Sequence, residues 1–288
     1  MDCSTRMWIL LDEEYSKYKV VYPLHPGNVM GRNHRRFLEL LGVTDERLVT
    51  IDRPTGFKRV FVPTENRKQR IHAHMPVYDR VFDKIVSNAD YDLSQIPQKV
   101  YFSRERMGKA EYGEDQIAAN YKLNGYEILY PEEMTLDEQI GVFQHASEIV
   151  CENSSICMNV VFAGEGSKWT VINKYSAVHD NFTELRYHKN IDITYVDAYS
   201  DRLNFYGDII GSLPYLVSFN NNMKELFDDR GLKYVMPGRI NKISNIIKYL
   251  CKCVMIKPMS FYEDISAKAV RWMKKDAVGL YRLLKKVI

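Results

Sequence analysis

The sequence predicts an α/β fold with a parallel, doubly wound sheet, and three observations carry this prediction. Short apolar segments typical of strands alternate with helical segments from residue 99 to residue 174. A content of 45% hydrophobic and 27% charged residues among 288 is ordinary for one or two folded domains. No apolar run approaches the roughly 20 residues that a membrane helix requires. The apolar segments are therefore expected to form a protein core.

The N-terminal part of the sequence is less regular. Its polar segment 87–97 is expected to be a linker because it is rich in Asn, Asp and Ser. Pro76 fits the first turn of a helix, where the N–H that proline lacks has no acceptor anyway. The predicted elements are a helix at 5–12, a strand at 18–22, a helix at 31–43, strands at 47–52 and 56–63, and a helix at 75–89.

The regular alternation begins after that linker. Asn124-Gly125 is a helix C-terminal signature, and Thr135 followed by Glu138 is a capping box. The predicted strands are 99–103, 126–130, 148–151, 168–174, 191–198 and 215–219, and the predicted helices are 113–125, 135–146, 155–163 and 221–231. We therefore expect an α/β domain at 1–90, a nucleotide-binding-like domain at 98–220 and a helical region at 221–288.

Charge sets the C-terminal region apart from the rest of the chain. The net charge is +3, but residues 239–288 hold 12 Lys and Arg against three acidic residues. Residues 265–288 predict a basic amphipathic helix with an apolar face of Val270, Met273, Ala277, Leu280, Leu284 and Val287. Such a helix either lies on an anionic membrane surface or packs on the protein with a solvated basic face.

Composition also excludes several classes of protein. Nucleic acid is not an expected partner, because no groove-reading motif is present and the rest of the chain is acidic. The five cysteines follow no metal-ligand spacing, and residues 1–12 do not form a signal peptide. We therefore expect a cytoplasmic protein with no metal site and no cofactor.

Candidate binding residues follow three successive predicted strands. In a doubly wound sheet, ligands bind beyond the carboxyl ends of the strands. Ser154 and Ser155 leave backbone N–H groups open to an anion at a helix start. Arg104 or Arg106 would pair with a phosphate. Tyr130 and Pro131 would form a flat wall with open carbonyl groups for a base, and Glu132 or Glu133 would accept hydrogen bonds from a ribose.

Each of these features also has a purely structural interpretation. A serine before a helix is commonly an N-cap, and acidic residues after Tyr130-Pro131 suit a turn into a helix. Arg104 and Arg106 are equally consistent with a solvated surface pair. Neither a GxGxxG nor a GxxxxGK[ST] motif is present, which disfavours a classical dinucleotide or P-loop site.

The order of these motifs resembles glycosyltransferase family 61, which includes many capsular polysaccharide biosynthesis proteins. The resemblance covers residues 2–220 and is strongest over 98–175. Two positions depart from the family pattern: Ser154 replaces a glycine, and Met158 replaces a polar residue. The matching residues are Ser103-Arg104, Gly113-Glu114, Gly125-Tyr126-Glu127-Ile128, Pro131-Glu132, Glu138-Gln139-Ile140, Ser154-Ser155, Asn159 and Phe162.

The resemblance implies a GT-B-like fold of two Rossmann-like domains, the N-terminal one incomplete here because the family's His-containing first segment is absent. It implies transfer of a sugar, with inversion, from a nucleotide-sugar to a glycan or lipid-linked glycan, without a metal. The partners are thus the donor, the acceptor and, through 265–288, an anionic membrane at the inner face of the plasma membrane.

The resemblance also implies a general base from the N-terminal domain. His25 is the best-placed candidate, although a histidine in a turn between two prolines is also explained without chemistry. Asp2, His72 and His74 are weaker candidates. The alternative function is a non-catalytic polysaccharide-assembly protein that retains the fold.

Overall fold

The computed structural model describes residues 2–65, 67–68, 73–74, 76–107, 111–176, 189–199, 203 and 214–256. The predicted basic helix at 265–288 and His72 lie outside these residues. Contacts divide the chain into two compact units. The first is Met1–Ser103, Gly125–Ile172 and Val178–Tyr195, and the second is Arg104–Asn124, Asn173–Ala177 and Val196–Ile288.

The first unit is built on a five-stranded sheet. Only the last residues of two of its strands are assigned to the second unit. The strands of this sheet are β5 (Lys99–Phe102), β7 (Glu127–Leu129), β8 (Glu148–Glu152), β9 (Lys168–Asn173) and β10 (Asp192–Asp197). Their order in space is β7–β5–β8–β9–β10. β5 is parallel to β7 and β8, and β8 is parallel to β9. This order, 2-1-3-4-5 by position in the chain, is typical of a doubly wound sheet and confirms the predicted parallel sheet.

Helical segments connect successive strands, as the sequence predicts. α3 (Glu114–Leu123) precedes β7, α4 (Leu136–His145) precedes β8, and a 3-10 helix at Ser155–Phe162 precedes β9. Gly125 ends the α3 segment with a φ of 81°, a left-handed conformation that glycine adopts without strain. The segment predicted as a helix at 155–163 is thus helical but more tightly wound than an α-helix.

Most of the predicted N-terminal elements are present, together with two short strands, at 67–68 and 73–74, that the sequence did not predict. They are a 3-10 helix at Asp2–Leu11, β1 (Val20–Pro23), α1 (Arg32–Leu40), β2 (Leu48–Ile51), β3 (Arg67–Lys68), β4 (Ala73–His74) and α2 (Pro76–Asn88). β1 and β2 are a parallel pair, and β3 and β4 are antiparallel. α2 buries Tyr78, Val81, Phe82 and Ile85, which lie on one helical face, in the same core as Trp169 of the sheet.

The strand predicted at 56–63 is wrong. Its apolar side chains, Phe57, Val60, Phe61 and Val62, are all exposed, so none of them covers a sheet face. The residue directly after the segment is bound by a side chain rather than by a strand: Trp8 Nε1 donates to the carbonyl oxygen of Thr64 at 2.9 Å. An apolar segment therefore does not form a strand where no neighbouring strand supplies ladder hydrogen bonds.

The polar segment predicted as a linker, 87–97, is packed rather than free. α2 continues to Asn88, and Leu93–Gln95 form a further 3-10 helix. The N–H of Asp90 donates to Asp137 Oδ1 at 2.8 Å. A Cβ placed on Gly141 of α4 would come within 2.8 Å of the Tyr91 ring, so only glycine admits that ring here.

The second unit contains α3, the parallel pair of β6 (Glu111–Tyr112) and β11 (Tyr215–Leu216), α5 (Asn221–Asp229) and α6 (Arg239–Ile256). The strand predicted at 215–219 is shorter than expected and pairs with β6 rather than with the five-stranded sheet. Two amides of α3 hold the extended chain before α6. Asn120 and Asn124 exchange hydrogen bonds with the backbone of Val235 and Lys233.

No described helix is both long and apolar enough to cross a bilayer. The GT-B-like arrangement of two Rossmann-like domains stays a prediction, and so do the domain boundaries at 1–90, 98–220 and 221–288.

Candidate functional site

The carboxyl ends of three strands meet at one edge of the sheet in the first unit. Phe102 of β5 pairs with Leu129 of β7 on one side and with Cys151 of β8 on the other. The N–H of Ser103 continues the ladder by donating to the carbonyl of Leu129 at 2.9 Å. In a 2-1-3-4-5 sheet the strand order reverses between β5 and β8, which is where such folds bind ligands. The sheet thus places Ser103 beside the turns that follow β7 and β8.

The turn after β7, residues 130–135, uses its polar groups internally. The carbonyl of Tyr130 accepts from the N–H of Glu133 at 3.0 Å. The carbonyl of Pro131 accepts from the Met134 N–H at 3.3 Å and from Gln139 Nε2 at 2.9 Å. The expectation of open carbonyl groups at Tyr130 and Pro131 is therefore wrong, because the chain turns at once into α4.

The side chains of this turn lie partly or fully at the protein surface. Tyr130 and Pro131 are half-buried, and Glu132 and Glu133 are exposed. The predicted capping box closes the turn: Thr135 Oγ1 accepts from the Glu138 N–H at 3.2 Å. Glu138 Oε2 accepts from the N–H of Thr135 at 2.7 Å.

A hydrogen-bonded link joins the β7 turn to the 3-10 helix after β8. Gln139, buried on α4, donates to Pro131 as described, and its Oε1 accepts from Asn159 Nδ2 at 3.4 Å. Two of the predicted site residues, Pro131 and Asn159, are thus connected through one side chain. Sequence reasoning did not select Gln139, although it stands in the Glu138-Gln139-Ile140 motif.

The start of α4 is anchored by a bidentate ion pair. Arg36 of α1 donates to both oxygens of Asp137, from Nε at 2.7 Å and from Nη2 at 2.9 Å. These hydrogen bonds, helped by one from the Asp90 N–H, hold the pKa of Asp137 below its ordinary value of 3.8. The β7 turn is therefore fixed in place on both sides.

The turn after β8, residues 152–155, is different. Glu152 and Asn153 are buried, and the N–H of Asn153 extends the ladder to the carbonyl of Ile172 at 2.8 Å. Ser154 occupies the N-cap position of the 3-10 helix, but its side chain forms no capping hydrogen bond. Its Oγ is buried and forms no hydrogen bond with any described residue. A plain N-cap role therefore does not account for the Ser154 hydroxyl, while Ser155 is exposed.

In the second unit, Arg104 is buried rather than solvated. It is only 5% exposed, and its Nε lies 3.0 Å from Glu111 Oε1 and 3.1 Å from Oε2. Its backbone N–H donates to Glu114 Oε1 at 2.9 Å. The interpretation of Arg104 as part of a solvated surface pair is wrong. Arg106, in the 3-10 helix Glu105–Met107, is exposed.

Lys174 is a second cation on the same carboxylate. It forms an ion pair with Glu111 and lies over the Tyr215 ring at 4.5 Å from the centroid. Sequence reasoning missed both Glu111 and Lys174. Lys174 carried a signal, since it directly follows a buried parallel strand, but Glu111 lies 63 residues away and carried none.

The model of the family described as Glycosyltransferase 61 matches residues 2–171, which is more than half of the chain. The chain belongs to glycosyltransferase family 61. The match spans both turns of the first unit, and family membership supports a transferase that uses a sugar donor and a glycan acceptor. No curated protein matches the chain.

The general base expected of a family 61 transferase has no clear position among the described residues. His25 is exposed in the turn after β1, where its carbonyl accepts from the Asn28 N–H at 2.9 Å. That geometry fits a turn histidine, and its catalytic role stays a prediction. His145, to which no chemistry is assigned, lies 3.2 Å from the Tyr91 hydroxyl through Nε2.

Proposed function

We propose that the chain transfers a sugar from a nucleotide-sugar donor to a hydroxyl group of a glycan or lipid-linked glycan, in polysaccharide biosynthesis of the capsular type. Membership of family 61 supports the class of reaction. The observation that carries the donor site is the Ser154 hydroxyl, which is buried at the switch point of a doubly wound sheet and forms no hydrogen bond with any described residue.

The proposed ligand of this hydroxyl is the donor diphosphate. The first N–H groups of a helix lack acceptors within the helix, and the helix dipole favours an anion there. Ser154 and Ser155 stand at such a helix start, and Ser154 adds one O–H donor. A phosphate oxygen is the acceptor that suits this combination of donors.

The remaining residues of the edge suit the nucleoside. The half-buried ring of Tyr130 and the ring of Pro131 offer an apolar surface for a base. Glu132 and Glu133 are exposed carboxylates at the same turn and would accept hydrogen bonds from ribose hydroxyls. Asn159, which donates to Gln139, supplies an amide side chain on the 3-10 helix.

The proposed transfer proceeds with inversion and needs no bound metal. Backbone N–H groups and cationic side chains would neutralise the leaving diphosphate in place of a divalent ion. A general base would take the proton of the acceptor hydroxyl as the new glycosidic bond forms. His25 is the candidate for that base. Cytoplasmic location, with attachment to the inner face of the plasma membrane through 265–288, belongs to the same proposal.

A panel of UDP-, GDP-, ADP- and dTDP-linked sugars, screened by thermal shift with the full chain in EDTA, tests the donor site. A ligand at 100 times its dissociation constant stabilises the folded state by about 2.7 kcal/mol. We expect one nucleotide class to raise the melting temperature without a divalent ion. No shift with any member at millimolar concentration would exclude the donor site.

Release of nucleoside diphosphate then separates the enzyme from its alternative. We expect release that depends on an acceptor glycan and that falls when His25 is changed to Ala. Donor binding without release, with every acceptor tried, would instead support the non-catalytic polysaccharide-assembly function.

A further inference from the structure

α6 of the second unit, Arg239–Ile256, has one buried face and one exposed apolar face. Tyr249 and Cys253 are fully buried and pack against Tyr112 and Leu216 of the β6–β11 pair. The opposite face carries Ile240, Ile243, Ile247, Cys251 and Met255, separated by three or four residues, which places them along one side of a helix. We call these five residues the α6 apolar face.

The α6 apolar face is solvent-exposed along its whole length. Ile240 is 83% exposed, Ile243 56%, Ile247 55% and Met255 71%, and Cys251 is also exposed. Isolated exposed aliphatic residues are normal, but four in one continuous line are not. A line of this kind marks a surface that another body covers.

The charged residues of α6 itself are all of one sign. Residues 239–256 contain Arg239, Lys242, Lys248 and Lys252 and no Asp or Glu. Lys248 and Lys252 each follow a residue of the face by one position, so they lie about 100° around the helix from it, along its flank. An apolar line with basic flanks fits an anionic surface that is apolar beneath its charges.

We propose that the α6 apolar face docks on the surface of a bilayer containing anionic lipids. The helix would lie in the plane of the interface with its isoleucines below the headgroups and its lysines among them. This surface is distinct from the sequence-predicted helix at 265–288, and it goes beyond the proposed sugar transfer.

Charge argues against the two other occupants of this face. The segment 265–288 carries seven Lys and Arg and one acidic residue, so docking it on α6 would oppose like charges. A second copy of α6 would likewise bring its own cations against these cations. Anionic phospholipid supplies the opposite charge together with apolar depth.

Vesicle sedimentation with the full chain tests the proposal. We expect binding to phosphatidylserine–phosphatidylcholine vesicles that weakens with salt, and weak or no binding to pure phosphatidylcholine. Ile243→Gln with Ile247→Gln leaves the charge unchanged, and we expect it to reduce binding by about tenfold or more. Lys248→Gln with Lys252→Gln should reduce binding and its salt dependence.

The matched control is Val60→Gln with Val62→Gln, two residues of the first unit that are 60% and 73% exposed. We expect this control to bind vesicles as the wild type does, and all variants to keep the wild-type melting temperature. Wild-type binding by the Ile243 and Ile247 variant would overturn the proposal. If only Leu280→Gln with Leu284→Gln then lost binding, residues 265–288 would be the membrane element instead.

Sedimentation equilibrium covers the remaining outcome. A wild-type dimer that the Ile243 and Ile247 changes convert to a monomer, in a protein that binds no vesicles, would assign the face to a second copy and overturn the lipid proposal. Donor binding, measured separately by the nucleotide-sugar panel, is expected to be unchanged in every α6 variant, so failure of one proposal leaves the other standing.

Discussion

The turns after β7 and β8 each lead into a helix through a residue with a hydroxyl group, but the two hydroxyl groups differ in their hydrogen bonds. After β7, Thr135 is the N-cap of α4. Its hydroxyl accepts from the Glu138 N–H, and the Glu138 carboxylate accepts from the Thr135 N–H. After β8, Ser154 is the N-cap of a 3-10 helix, and its buried hydroxyl forms no hydrogen bond with any described residue. The same local pattern, a hydroxyl residue before a helix, is complete in one place and open in the other.

The type of helix explains the difference. In α4 the N–H of the third helical residue has no backbone acceptor, so the hydroxyl of Thr135 takes it. In the 3-10 helix the equivalent N–H, that of Cys157, donates to the backbone carbonyl of Ser154 at 3.0 Å. The Ser154 hydroxyl is therefore not needed to cap the third helical residue, as the Thr135 hydroxyl is, and is proposed to bind a ligand instead.

The largest expected effect follows from this proposal. Changing Ser154 to Ala removes one hydrogen bond to a charged diphosphate, which is worth about 1.5–3 kcal/mol. We expect the dissociation constant of the donor to rise by about ten- to a hundredfold. Isothermal titration of the nucleotide-sugar found in the panel measures this change.

Thr135→Ala is the control for that measurement, because it deletes a hydroxyl at the equivalent position of the neighbouring turn. We expect its donor affinity to stay within about twofold of wild type, since its hydroxyl is committed to Glu138. Equal losses of affinity in the two variants would mean that the two turns do not differ in the way proposed.

The second effect concerns what fixes the β7 turn. Asp137→Asn leaves Arg36 without its carboxylate, and we expect the free energy of unfolding at pH 7 to fall by about 2 kcal/mol. Because the folded pKa of Asp137 is lowered, its stabilisation is complete above the ordinary pKa of 3.8 and is lost as the pH falls through the folded pKa. Urea unfolding at pH 7 and near pH 3 should show the difference between the two proteins shrinking at the lower pH.

A constant difference between wild type and Asp137→Asn at both pH values would contradict this account, because it would show that the titration of Asp137 is not what stabilises the turn. Asp92→Asn is a suitable control. Asp92 is exposed and its pKa is also lowered, by its hydrogen bonds with Ser94, but it pairs with no cation among the described residues. We expect a smaller loss of stability from it.

The sequence predicted the β7 turn better than the β8 turn, for a physical reason. A capping box is encoded within four residues, Thr135 to Glu138, and a C-terminal glycine such as Gly125 is a single local signal. No comparable local motif distinguishes an α-helix from a 3-10 helix after Ser154, where the segment buries Ile156, Val160 and Phe162 in the core. That difference is what leaves the hydroxyl open.

Contacts between distant residues were also beyond local reasoning. The ion pair of Arg36 with Asp137 joins residues 101 positions apart, and that of Lys174 with Glu111 joins residues 63 apart. The parallel arrangement of the strands was predictable, because strands that alternate with helices along the chain are typically connected by crossovers. The strand predicted at 56–63 does not form, because no neighbouring strand among the described residues pairs with this segment.

The third effect tests the link between the two turns. Gln139→Leu keeps the buried volume. It removes the amide N–H that bonds to the Pro131 carbonyl and the amide oxygen that accepts from Asn159. We expect a loss of about 1–2 kcal/mol in the free energy of unfolding, together with weaker donor binding because Asn159 is released. Gln139→Glu keeps the acceptor for Asn159, so donor affinity should recover more than stability does. Loss of stability with unchanged affinity for the nucleotide-sugar would show that Asn159 is not part of the donor site.

The smallest effect compares the stabilities of the two N-cap variants. Thr135→Ala should lower the free energy of unfolding by about 1 kcal/mol, because a Glu138 N–H loses its acceptor. Ser154→Ala should change it by less than about 0.5 kcal/mol, or raise it, because a buried hydroxyl without a partner costs free energy in the folded state. Thermal unfolding of both variants without ligand gives the answer. A loss from Ser154→Ala as large as that from Thr135→Ala would show that the Ser154 hydroxyl stabilises the fold, and would remove the reason to assign it to a diphosphate.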